Sequence, residues 1–266
     1  MSYLDIAVKA ACEAGRIHKK YFGGNYKLKT KSASFDLVTC ADTEAEEAAV
    51  SLIKKYFPRH NFLAEENKYP AVDSEYTWVI DPLDGTNNFA CGLPIFCSSV
   101  AVIHKGKALA GAVYDVSRDE LFCAQKGRGA FLNSRRIRVN TADTLKKSLL
   151  ITGFYYNRGR ETEETLEAVR RFLFQNILGI RRLGAAALDL CYVASGRAAG
   201  YWEYCLSPWD FAAGKLIVEE AGGRVSGRRG EDLPWDKKCF IVASNGKIHR
   251  RVLEVINSVG RKKLRA

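Results

Sequence analysis

Apolar residues recur at helical spacing through residues 2–21, at Leu4, Ala7, Ala11, Ala14, Ile17 and Tyr21, and predict an amphipathic helix stopped by Gly23-Gly24. A second helix is predicted from Asp42-Thr43, where Thr43 and Glu46 have capping-box spacing, through Val50, Ile53 and Phe57 to Pro58. Short apolar runs at 61–64 and 76–80 read as strands, each leading into acidic residues. Strand-like runs at 95–104, 108–114, 120–124 and 129–132 follow, reversed at Lys105-Gly106-Lys107 and Ser117-Arg118-Asp119. That spacing predicts an antiparallel meander.

Past residue 145 the texture changes. Strands are predicted at 149–151, 199–204 and 240–243, and helices at 161–175, 184–196, 208–221 and 247–258, with Gly222-Gly223 closing the third helix. Strands and helices mixed in this way suit an α/β arrangement. No repeat or low-complexity linker separates the two textures. The expected division is therefore 1–145 and 146–266, two halves sharing an extensive interface.

Composition narrows the class. With 266 residues, 47% hydrophobic and 27% charged, the chain can bury a sizeable core. No run reaches the ~20 apolar residues of a membrane span. The first residues lack a signal peptide's basic and apolar regions, so a cytoplasmic location is expected. Eight cysteines form no C-x-x-C pair and read as small hydrophobes in a reducing compartment. The net charge of +11 fits either a solvated basic surface or one that attracts anionic substrates or nucleic acid. No zinc-finger, helix-turn-helix or RNA-reading signature accompanies it.

The densest chemistry is Asp81-Pro82-Leu83-Asp84-Gly85-Thr86-Asn87-Asn88-Phe89. Two carboxylates three apart can hold a hard cation. Gly85 and Thr86 begin a turn whose backbone N–H groups can hold phosphate. Two further acidic groups end strands or begin helices: Glu65-Glu66, and Asp210, three residues after the N-cap candidate Ser207. Each alone also fits a structural role, as turn formers, an exposed loop pair or a helix-dipole partner. Brought together they would repel unless cations neutralised them. An all-oxygen set suits Mg²⁺ or Mn²⁺, and the four histidines lie outside every motif. The chemistry implied is metal-assisted hydrolysis of a phosphate ester. An Asp-x-Asp aspartyl-phosphate motif and a P-loop are absent. The Cys191-x5-Arg197 string sits in a helical apolar pattern that marks Cys191 as core.

These residues resemble the inositol monophosphatases, Mg²⁺-dependent, Li⁺-sensitive sugar-phosphate phosphatases. The resemblance rests on Ala64-Glu65-Glu66, the 81–89 block, Arg182-Leu183-Gly184-Ala185-Ala186-Ala187, and Pro208-Trp209-Asp210 running on to Glu220-Ala221-Gly222-Gly223. Asp36-Leu37-Val38-Thr39 with Asp42 is a fifth block. The family order is kept along nearly the whole chain. The resemblance implies an α+β fold, a layered α-β-α-β-α sandwich with an antiparallel sheet in the first half and a mixed one in the second. It implies two to three Mg²⁺ ions. Glu65, Asp81 and the Leu83 carbonyl would hold the first, and Asp81, Asp84 and Asp210 the second, with Glu65 near a third. Thr86, hydrogen-bonded to Asp42, would orient the attacking water. Gly85 and Thr86 would meet the phosphate, while Ala186, Glu203 and Asp210 meet the substrate. Lys31 matches a basic residue on a loop over the site.

The implied activity is hydrolysis of myo-inositol monophosphate or a similar polyol phosphate by a homodimer. Fructose-1,6-bisphosphatase, histidinol-phosphatase and 3′-nucleotidase are alternatives on the same motifs. Some bacterial members also act in RNA-transcription complexes. Two departures stand out: Gly153-Phe154-Tyr155 where bacterial relatives often have Gly-Phe-Pro, and Ala64 where many have Gly.

Overall fold

Helix α1 (Tyr3–Tyr21) starts where its cap chemistry allows. Ser2 N donates to Asp5 Oδ2 at 2.9 Å and Asp5 N to Ser2 Oγ at 3.1 Å, satisfying two of the free N–H groups of a helix start. The computed structural model describes residues 1–24, 28–30, 37–155 and 159–259. Lys31, Asp36 and the basic stretch 261–265 lie outside the described residues. Short strands β1 (Leu28–Thr30) and β2 (Leu37–Thr39) pair antiparallel.

Helix α2 spans Cys40–Tyr56, so it begins before the predicted start at Asp42-Thr43. The capping-box reading of Thr43 and Glu46 is overturned. Glu46 is fully buried, and its carboxylate accepts from Glu66 N at 2.8 Å, Asn67 N at 2.9 Å and Tyr69 Oη at 3.0 Å. It is committed to the loop after the next strand, a long-range use that spacing along the chain does not report.

The first sheet runs in chain order: β3 (Asn61–Ala64), β4 (Tyr76–Asp84), β5 (Cys97–His104), β6 (Lys107–Asp115), β7 (Glu120–Gln125), β8 (Gly129–Leu132) and β9 (Arg135–Ile137). Its pairs are antiparallel except β3 with β4, which is parallel. That exception matters because Ala64 pairs with Ile80, bringing Glu65 and Asp81 to the same end of adjacent strands. After a five-residue helix α3 (Thr86–Ala90), the chain returns as β5.

The second sheet has the order β11-β10-β12-β14-β13, from β10 (Leu149–Thr152), β11 (Gly179–Arg181), β12 (Gly200–Leu206), β13 (Arg224–Ser226) and β14 (Cys239–Ser244). It is mixed: β10 runs parallel to β11 and β12, and β14 antiparallel to β12 and β13. The three-residue strands β9, β11 and β13 were not anticipated, being too short to show a period.

Alternation along the strands sorts the layers. Trp78, Ile80, Val100, Val102, Ala110 and Ala112 face the first two helices, meeting Ile6, Ala10 and Ile53. Their neighbours Val79, Ala101 and Val113 face the other way, onto α5 (Ala186–Ala194) and α6 (Pro208–Glu220), which share that core with Tyr201 and Ile241 of the second sheet. Gly111 admits this packing, since a Cβ there would sit 2.9 Å from Ala213 Cα. The outer face of the second sheet, through Leu150, Trp202 and Val242, packs on α4 (Arg160–Leu173) and α7 (His249–Ser258). The fold is the layered α-β-α-β-α sandwich. No helix among the described residues is long and apolar enough to cross a membrane.

His249, at the start of α7, joins two strands: its Nε2 lies 2.9 Å from Ser226 Oγ and its Nδ1 2.9 Å from Ser244 Oγ. Burial, then the nearby Arg224 charge, pushes its pKa from 6.5 down to about 4. Below pH 6.5 the unfolded chain takes up a proton that the folded protein refuses. Its contribution is therefore complete above pH 6.5 and lost as pH falls towards 4, about 3 kcal/mol at most. Urea midpoints measured from pH 7 to 4.5 should fall less steeply for His249→Gln than for the wild type. Equal slopes would remove His249 as the source.

Candidate functional site

Three chain segments far apart in sequence deliver carboxylates to one cavity of ≈ 340 Å³. Glu65 follows β3, Asp81 and Asp84 lie on β4, and Asp210 sits in the first turn of α6. Leu83, Gly85, Thr86, Ala186 and Glu203 line the same cavity. Asp42 stands behind it, fully buried, and accepts a hydrogen bond from Thr86 Oγ1 at 2.9 Å. Every site residue expected from the sequence and within the described residues therefore converges here.

Local structure explains the aim of each group. β4 continues past the predicted end at Ile80, through Asp84. It is irregular on the way: Asp81 pairs with Ser99 and Asp84 with Cys97, so Pro82 and Leu83 together face Ser98. Such a bulge re-aims side chains. Gly85 then turns the chain with φ 90°, where a Cβ would meet Ile95 O at 2.8 Å. Only glycine enters that conformation at that approach without strain. Ser207 N donates to Asp210 Oδ2 at 2.7 Å, so Asp210 caps α6 while its side chain lines the cavity.

The carboxylates are crowded. Asp81 is buried, and Leu83 N donates to its Oδ1 at 3.1 Å. Asp84 accepts from Ala186 N at 3.1 Å and Ala187 N at 2.7 Å, the first N–H groups of α5. Burial, reinforced by the Glu65 charge, still pushes Asp84 up to about 6 against those bonds. Burial and the charges of Glu65 and Asp84 raise Asp210 well above the carboxylate range. Glu203 is pushed up to about 7, chiefly by burial, with the Tyr201 hydroxyl (2.6 Å) and Arg182 opposing. A cluster in which each carboxylate makes its neighbour harder to ionise is one that a divalent cation would relieve. The donors are all oxygen, a set that fits Mg²⁺. Among the described residues no three His, Cys, Asp or Glu side chains are closed on a common point. Several of these oxygens turn instead to backbone N–H groups, as above.

The chain matches the sequence model of the inositol monophosphatase family over residues 1–261. It belongs to that family. Among its relatives is the putative Nus factor SuhB of Neisseria meningitidis serogroup B, 41% identical over 258 residues, 96% of this chain and 98% of that one. The inositol monophosphatase of Anabaena (Nostoc) sp. PCC 7120 superposes with a TM-score of 0.86 at 40% identity, covering 98% of this chain and 97% of that one. An IMPase/NADP phosphatase complexed with Mg²⁺ and phosphate superposes with a TM-score of 0.79 at 28% identity, covering 91% and 90%.

Several residues at this inositol monophosphatase-type cavity had no site role in the sequence reading. Arg182 and Trp209, named there only within the matching blocks, and Lys238 line it, and Lys238 Nζ lies 5.8 Å from the Tyr155 ring centre. Tyr155 stands where the family's frequent proline would be. Asp189 of α5 is fully buried, and neither carboxyl oxygen has a hydrogen-bond partner among the described residues. Burial, then the charges of Glu203 and Asp84, push its pKa well above the carboxylate range. One signal was available: it is the single charged residue in the apolar run 185–194. Cys191, by contrast, is core as expected, fully buried in α5.

Proposed function

We propose that this protein hydrolyses the monophosphate of myo-inositol, or of a similar small polyol, with two to three Mg²⁺ ions held by the cavity carboxylates. The observation that carries this reading is the convergence of Glu65, Asp81, Asp84 and Asp210 on one cavity with Glu203 and the Thr86–Asp42 pair. In it, Glu65, Asp81 and the Leu83 carbonyl hold one ion, and Asp81, Asp84 and Asp210 a second. Mn²⁺ satisfies the same donors. Such ions supply Lewis-acid polarisation of the phosphoryl oxygens and a lowered pKa for water.

The protein's own groups do the rest. The N–H groups of Gly85 and Thr86 meet the phosphate. Thr86 Oγ1 orients the attacking water and passes a proton towards Asp42, with Glu65 lining the same cavity. Glu203, with Ala186 and Asp210, receives the polyol hydroxyls. In this reading residues 1–145 carry the metal-binding motifs and 146–266 complete the site. Cytoplasmic location and a homodimer belong to the same reading. Leu166 and Leu173 of α4, with Phe174 and Leu178 just after it, favour the dimer, since each exposes a large apolar side chain, Phe174 being 76% exposed.

A substrate panel tests the reading: inositol monophosphate, fructose 1,6-bisphosphate, histidinol phosphate and adenosine 3′,5′-bisphosphate at equal concentration with Mg²⁺, then with Li⁺ added. Inositol monophosphate should show the highest kcat/KM, and Li⁺ should suppress it. Turnover of the nucleotide alone would refute the polyol assignment. The panel should be repeated with Gly153→Ala, because a Cβ at Gly153 would overlap the Glu203 carboxylate. Displacing one charged hydrogen-bonding group is worth about tenfold in KM for the polyol. An unchanged KM would remove Glu203 from the substrate site.

A second reading is favoured by the relative named as a putative Nus factor and by the charge of +11. It gives the protein an additional role in binding RNA or a transcription complex, independent of hydrolysis.

A further inference from the structure

The bulge in β4 leaves two backbone carbonyls, of Pro82 and Leu83, facing the single residue Ser98. Buried carbonyls outside a regular ladder need donors from elsewhere. Leu83 O receives Thr86 Oγ1 at 2.9 Å. Pro82 O receives His18 Nε2 of α1 at 2.7 Å, 64 residues away in sequence. A carbonyl can only accept, so Nε2 carries the imidazole proton.

The surroundings of His18 are otherwise apolar. It is fully buried, with the rings of Phe89 and Phe96 edge-on at 6.1 and 5.8 Å. Nδ1 has no hydrogen-bond partner among the described residues. Burial holds the ring neutral, its pKa brought down to about 4. A leucine or methionine would fill such a pocket without leaving a nitrogen unpaired. Packing therefore gives no reason for histidine here, whereas the Pro82 carbonyl does.

One peptide plane connects this bond to the site. The Pro82 carbonyl and the Leu83 N–H belong to the same trans peptide and point in opposite directions. His18 holds the carbonyl end, and the N–H end donates to Asp81 Oδ1 at 3.1 Å. Rotation of that plane would disturb both the Asp81 carboxylate and the neighbouring Leu83 carbonyl.

We propose that His18 is a positioning residue for the cation site, locking through Pro82 the peptide plane that aims Asp81 and the Leu83 carbonyl into the cavity. This rests on the reading that those two groups hold a divalent ion. Groups that orient metal ligands without touching the metal change its affinity by about 10–100-fold when removed.

Mn²⁺ is the probe, its binding to the full-length protein followed by calorimetry and by its electron paramagnetic resonance signal. His18→Leu should weaken Mn²⁺ binding by about tenfold or more. Its metal-free thermal midpoint should not fall in proportion. His18→Gln, whose amide nitrogen can reach the place of Nε2, should recover most of the affinity. A folded Leu variant with wild-type affinity would overturn the proposal, and so would Leu and Gln variants equally weak. Should the Leu variant not fold, Gln is compared with His18→Asn, whose shorter amide cannot reach Pro82. Gln tight and Asn weak supports the proposal, and equal affinities overturn it. A wild-type protein that bound no Mn²⁺ would overturn the cation reading as well, so the two failures are distinguishable.

Discussion

Asp84→Asn should lower kcat for inositol monophosphate by about a hundred- to a thousandfold, the scale on which losing one preorganised electrostatic group in a dry site is felt. The substitution keeps the shape of the side chain and removes its charge. It also places an NH₂ group where two N–H donors, of Ala186 and Ala187, now find acceptors at 3.1 and 2.7 Å. One of those bonds becomes donor against donor, at a cost of about 1–3 kcal/mol. Against that, Asp84 is one of the charges that make Asp210 harder to ionise, and removing it relieves the cluster. The two effects oppose, so the metal-free thermal midpoint should change little.

What should change is the response to Mg²⁺. A ligand that binds only the folded state stabilises it by about 2.7 kcal/mol at 100 times its Kd. The wild type should therefore gain thermal stability with Mg²⁺, and Asp84→Asn should gain much less. A variant keeping a tenth of wild-type kcat would exclude Asp84 as a metal ligand. The same protein separates the two functional readings. Association with RNA or RNA polymerase that survives in Asp84→Asn would establish a binding surface independent of hydrolysis, and loss of both would argue against one.

Thr86→Val should cost about 10²–10⁴ in kcat, the usual contribution of a positioned proton-transfer group. KM and the Mg²⁺ response should stay near wild type. Thr86 Oγ1 has one proton and two acceptors at 2.9 Å, Asp42 Oδ1 and Leu83 O. The Asp42 carboxylate is fully buried in the first turn of α2, where the helix dipole favours its charge. Valine keeps the volume and removes the hydroxyl. Because Thr86 and Asp42 would act as one unit, Thr86→Val combined with Asp42→Asn should be no slower than either alone. Additive losses would show that they act separately.

Much of this site was legible before the structure. The residues 81–89 carry their chemistry locally, as carboxylates, a turn glycine and a hydroxyl within nine positions. Asp210 was legible for the same reason, since Ser207, Pro208 and Asp210 form a cap specified within four consecutive positions. Glu46 shows where such reasoning fails. It has the spacing of a local cap and is used for a contact twenty residues away. His18 shows the converse, a residue outside every motif whose side chain bonds the carbonyl of Pro82, next to Asp81 and 64 residues away.

By itself, the sequence determined the elements with several turns of helical period or several alternations of strand period, and the residue types that can hold a cation and a phosphate. Those properties are set within a few positions of each residue. Tertiary structure alone decided the parallel register of Ala64 with Ile80 that sets Glu65 beside Asp81, and the pairing of β11, β13 and β9 along the sheets. It also decided the burial that raises Asp84 and Asp210. Periodicity reports that a face is apolar, not which face it will meet. The desolvation and the opposing charge that a carboxylate feels come from groups that only packing brings near.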